Sequence, residues 1–151
     1  MRFKTMKDVI DYSKKLHSGL SEQYAELEQL TTSERVQLML DYLQRHERHL
    51  AETLSQYEDG AAKGVMDTWL QYTPEFHLDD LLAKARDASL DKVDELVATA
   101  LEIDDCMVKI YADIVENSDL DDIKDVARSL MQLENNEEHS IARSAFRLDD
   151  L

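Results

Sequence analysis

Asp104 stands where a carboxylate is out of place. It interrupts the apolar series Val93, Val97, Ala100, Met107, Tyr111 and Ile114, whose steps with Asp104 included are three or four residues. That spacing defines one face of a helix and puts Asp104 at the centre of a stripe that should be buried. An unpartnered carboxylate there costs several kcal/mol or takes up a proton, so it needs a partner or a metal ion. Candidate partners are His17, His46, His49, Glu134 and Glu137. Three imidazoles and three carboxylates suit a transition metal such as iron, manganese or zinc better than magnesium or calcium, which prefer oxygen alone.

Four long helices would have to bring these residues together. Hydrophobic periodicity predicts them over about 6–30, 32–57, 90–116 and 120–148. The first carries Val9, Ile10, Leu16, Leu20, Tyr24 and Leu27 on its apolar side, and Thr5 with Asp8 reads as a capping box. The second has the stripe Val36, Met39, Leu43, His46, Leu50, Thr53 and Tyr57, with Thr31 and Glu34 as its capping pair. Ser89 is the expected N-cap of the third helix, and Ser118 or Asp119 starts the fourth. The fourth has Ile123, Val126, Leu130, Glu134, Glu137, Ile141, Ser144 and Leu148 facing inward.

Gly60, Gly64 and Pro74 break the pattern over 59–89, where short helices are expected at 65–71 and 78–86. Trp69, Tyr72 and Phe76 would tuck this crossover against the long helices. Short turns make each helix pair an antiparallel hairpin, and the crossover is long enough to run the length of a helix. The expected fold is an all-α four-helix bundle, two antiparallel hairpins joined by a long crossover, as a single domain over 1–151.

His17 lies about fourteen residues before the first hairpin turn and His46 about fourteen after it. Asp104 lies about fourteen before the second turn and Glu134 about sixteen after it. At ~1.5 Å per helical residue, the four fall near one level. His49 and Glu137 are one turn further on.

At these positions the chain resembles the ferritin-like superfamily, in its rubrerythrin-like branch. In that family the first and third helices carry Glu with Tyr seven residues later, and the second and fourth carry Glu-x-x-His. Here the first helix reads His17-SGLSEQ-Tyr24 and the third Asp104-DCMVKI-Tyr111. The second reads His46-Glu47-Arg48-His49, and the fourth Glu134-Asn135-Asn136-Glu137 followed by Glu138-His139.

The resemblance implies a metal centre between the helices. It places His46 where the family has a carboxylate bridging two ions, and imidazole seldom bridges, so one ion, or two loosely held, is expected. Two registers are open on the fourth helix. Matching histidines brings Asn136 and His139 into the motif, whereas matching helical phase turns Glu134 and Glu137 inward and His139 away. Helical phase is preferred, because a ligand must face its metal. The implied activity is redox or metal handling, for example a ferroxidase-like oxidation of bound Fe²⁺. The alternative is a metal-free structural or protein-interaction bundle that kept the fold, with the same residues in a buried hydrogen-bond network.

A net charge of −16 argues against nucleic acid and anionic membranes as partners. No run of about 18 apolar residues and no apolar leader is present, which gives the expectation of a soluble cytoplasmic protein. Cys106 reads as a packing residue. No Gly-rich phosphate loop or Ser-centred elbow occurs. Homodimerisation is a reasonable expectation, although no patch identifies an interface.

Overall fold

The structure, a computed structural model, describes residues 5–61, 63–70, 77–87 and 92–149. These are all-α, with α1 Met6–Leu30, α2 Glu34–Gly60, α3 Lys63–Met66, α4 Leu78–Arg86, α5 Val93–Asn117 and α6 Asp121–Asp149. The expected capping box starts α1, where the Thr5 hydroxyl accepts from Asp8 N and the Asp8 carboxylate accepts from Thr5 N.

The first turn differs from expectation. Thr31 ends α1, and the N-cap of α2 is Ser33, whose hydroxyl accepts from Val36 N. The Thr31 hydroxyl instead accepts from Ser33 N and braces the turn. At the second turn the Ser118 hydroxyl accepts from Leu120 N. The N-cap of α5 is Lys92; Ser89 and Leu90 lie outside the described residues, as do Tyr72, Pro74 and Phe76. Trp69 does not tuck in. Its ring is 68% exposed while its backbone pairs with Thr5.

The long helices form two antiparallel pairs. On α1 and α2, Ser21 reaches Gln44, His17 reaches Glu47, and Lys7 and Lys14 both reach Glu58. The residue numbers rise on one helix as they fall on the other. Helix α6 pairs with α5 and also packs on α2, which touches α5 as well. Helix α4 packs against both α1 and α5. Its Leu82 lies so close to Gly19 that a Cβ there would sit 3.0 Å from the leucine methyl.

Helices α1 and α5 are themselves antiparallel. Tyr111 donates to Ser13 at 2.9 Å, and Asp104 lies beside His17. The two hairpin turns are therefore at opposite ends of the molecule. A single apolar core drawn from α1, α2, α5 and α6 joins them, with Met66, Leu81 and Ala85 of the crossover added.

The phase of α2 differs from the expected stripe. Its buried series is Leu40, Leu43, Glu47, Leu50 and Leu54, with Val36 and Met39 at its start. The stripe thus turns Glu47 inward and His46 to the edge: Leu40 is buried beside Met39, and Leu54 is buried where Thr53 and Tyr57 are only partly so, which takes more apolar surface out of water. Leu40→Ala should cost about 2–5 kcal/mol. Leu38→Ala, at a side chain 47% exposed, should stay within about 0.5 kcal/mol. Urea unfolding of both variants checks the phase.

Candidate metal centre

One buried polar residue from each long helix meets at mid-length. His17 on α1, Glu47 on α2, Asp104 on α5 and Glu134 on α6 are buried ionisable residues set among mainly apolar ones. His17 is the hub. Its Nδ1 lies 2.5 Å from Glu47 Oε2 and its Nε2 lies 2.7 Å from Glu134 Oε1. Two carboxylates on one imidazole require a proton on both ring nitrogens, or a proton on one of the acids. Burial lowers the His17 pKa, but Glu134 and Glu47 outweigh it and raise it well above the ordinary imidazole value.

Asp104 is in a different position. It is 1% exposed, and neither carboxylate oxygen has a hydrogen-bond partner among the described residues. Glu134 Oε2 is also buried without one. Burial first, then the charges of Glu47 and Glu134, raise the Asp104 pKa well above the carboxylate range. One ligand atom each from His17, Glu47 and Asp104 falls within 4.8 Å of the others. That is one nitrogen and two oxygen donors on three helices, with Glu134 behind the imidazole. Tyr24 lies in the field of Glu47 and Asp104, and burial pushes its phenol well up.

Comparison with protein-family models, with curated proteins and with solved structures finds no match to this chain. The site must therefore be read from its own residues.

Of the residues named from the sequence, His17, Asp104 and Glu134 come together. Glu137 is buried one turn beyond Glu134 and meets His46, with His46 Nε2 2.6 Å from Glu137 Oε2. Burial lowers the His46 pKa, and burial, then Glu47 and Glu134, raise that of Glu137 to about 7. His46 also meets the Tyr42 hydroxyl at 3.1 Å. His49 and His139 are exposed on outer faces, away from the centre. On α6 it is Glu134 and Glu137 that face inward, whereas Asn136 is exposed with His139. His77 is the N-cap residue of α4.

Glu47 is the candidate ligand missing from the set expected from the sequence, and an internal repeat signals it. His17 and Asp104, Tyr24 and Tyr111, Glu47 and Glu134, and Leu50 and Glu137 are all separated by the same 87 residues (104 − 17, 134 − 47). The starts of α1 and α5, and of α2 and α6, share that offset (93 − 6, 121 − 34). Glu47 is the counterpart of Glu134, and His46 has Leu133 as its counterpart.

These shifts set a pH dependence. His17 holds its proton more tightly folded than unfolded, so its contribution is full below the unfolded value near 6.5 and is lost as pH rises through the folded value. Asp104 and Glu137 also have raised values, so the unfolded chain ionises first and folding weakens as pH rises above about 4. Both effects have the same sign. The melting temperature of metal-free protein should fall steadily from pH 5 to pH 8. Asp104→Leu removes a buried acid whose desolvation costs about 1–3 kcal/mol. It should raise that melting temperature by several degrees and flatten the profile, as measured by calorimetry.

Proposed function

We propose that this chain is a ferritin-like four-helix bundle, two hairpins joined by a crossover, that holds one transition-metal ion at mid-bundle for metal handling or redox chemistry. His17, Glu47 and Asp104 are the ligands. The observation that carries this reading is Asp104, a fully buried carboxylate with two unpartnered oxygens beside an imidazole and a second carboxylate. Left without a cation, it is only a cost.

The donor set fits such an ion. One nitrogen and two carboxylates suit iron, manganese or zinc, and three protein ligands leave coordination positions open. A bound iron or manganese ion would supply one-electron redox chemistry, and zinc would supply Lewis acidity. Glu134 has a separate role. By accepting from His17 Nε2–H it fixes the ring and leaves the Nδ1 lone pair for a cation. With Nε2 protonated, Nδ1 and Glu47 Oε2 face each other at 2.5 Å as two electron-rich atoms, so a proton must lie between them, and an ion taking both as ligands would displace it. Metal binding therefore releases a proton.

The same donors support one ion rather than two. Leu50 occupies the inward position one turn beyond Glu47, where its counterpart on α6 is Glu137, and it offers no ligand atom. Glu137 is turned to His46.

A second reading has one observation in its favour. His17 already bridges Glu47 and Glu134, as a metal-free structural network would require. Metal titration separates the two. Metal-free protein should take up one Co²⁺ or Mn²⁺ per chain, by elemental analysis after desalting. Asp104→Asn should abolish that uptake with helicity intact, and Glu134→Gln should weaken it roughly 10- to 100-fold. Equal uptake by Asp104→Asn and the parent would sink the assignment, and no uptake by the parent would leave the structural network.

A further inference from the structure

A centre this deeply buried needs a way in. We propose that the seam between α2 and α6 is the uptake route, with His46 and Glu137 as a transit site for a divalent cation. The inference rests on the central metal reading above and goes beyond it by assigning a second cation-binding position outside the three ligands.

The other sides differ. The α1–α2 face carries a groove lined by Lys14, Glu22, Arg48 and Glu52, whose charges offset one another and which holds no imidazole. Helices α1 and α2 pack as one hairpin, and α5 and α6 as the other. Helix α4 lies against α1 and α5, with Leu81 and Ala85 buried and Leu82 in contact at Gly19. The α2–α6 seam differs in chemistry. At the level of the centre its surface holds His46 and Glu137, with side chains 19% and 11% exposed. Both carry atoms that ligate divalent cations.

Glu137 faces both ways. Its Oε2 lies 2.6 Å from His46 Nε2, yet makes no hydrogen bond of acceptable geometry there. One helical turn away on the same face is Glu134, which holds His17. Donors thus step inward from His46 to Glu137, then to Glu134 and Glu47, and end at the open oxygens of Asp104. Outside, a chain of net charge −16 concentrates cations at its surface. The route ends at Asp104 oxygens with no partner among the described residues, and it begins at Glu137 Oε2, which also lacks one, beside a His46 Nε2 that meets the Tyr42 hydroxyl.

Stopped-flow mixing of metal-free protein with Co²⁺, followed by its visible absorption, tests the route. His46→Ala and Glu137→Gln should each slow loading by about tenfold or more, since a charged or ligating cleft raises on-rates by that order. Both should still reach one ion per chain with the parent's absorption band. Leu82→Ala, which loosens the opposite side, should load at the parent's rate. Parent-like rates in both seam variants, or faster loading in Leu82→Ala, would overturn the route alone. A lost ion or an altered band in Glu137→Gln would make that residue a ligand and overturn its transit role. Failure of the parent to load at all would overturn the centre and the route together.

Discussion

The imidazole of His17 constrains everything around it. One ring ties α1 to α2 through Glu47 and to α6 through Glu134, fully out of water. Removing three ionisable groups from solvent is expensive, and the expense is met only while the geometry holds. A slip of any one helix by a residue would swing a carboxylate out of reach. The apolar stripes bring the helices together, but leucines tolerate small sliding, and two short hydrogen bonds do not. Register is therefore set by the polar layer and adhesion by the apolar one.

Asp104 introduces the opposite tendency. It sits in the same layer, and among the described residues no group answers it with a hydrogen bond. Natural cores rarely keep an acid that only destabilises them. Stability and chemistry pull against each other at that position, as they do at functional sites generally. The repeat sharpens the point. Its counterpart is His17, so one hairpin places a base at the centre where the other places an acid.

Much of this was legible in the residues. The span of α1, its capping box, the inward carboxylates of α5 and α6 and the central level of the site follow from periodicities of three and four. Counting residues back from each turn found that level even though the turns lie at opposite ends, because the site is midway along every helix and the count is the same from either end. Two features were not legible in the same way. On α2, the series through His46 and the series through Glu47 both satisfy helical spacing, and only the burial of Leu40 and Leu54 separates them. At the first turn, Thr31 and Ser33 are equally good caps on paper, and the choice depends on where α1 ends. Trp69 failed for a third reason. Its backbone bridges to Thr5, the N-cap of α1, while Met6 N donates to the neighbouring Thr68 carbonyl, and the Trp69 side chain is left facing out.

Corresponding helices of the two hairpins run antiparallel. Ser13 and His17 meet Tyr111 and Asp104 in reverse order, and Tyr42 and His46 approach Ser144 and Glu137 likewise. That order, with the shared 87-residue offset, is the pattern a two-fold axis perpendicular to the helices would give. The side chains at equivalent positions differ: His17 corresponds to Asp104, and Leu50 to Glu137. The centre is consequently lopsided, with an imidazole and a carboxylate from one hairpin and two carboxylates from the other. The two halves therefore set up a field across the centre that like side chains on both sides would have cancelled.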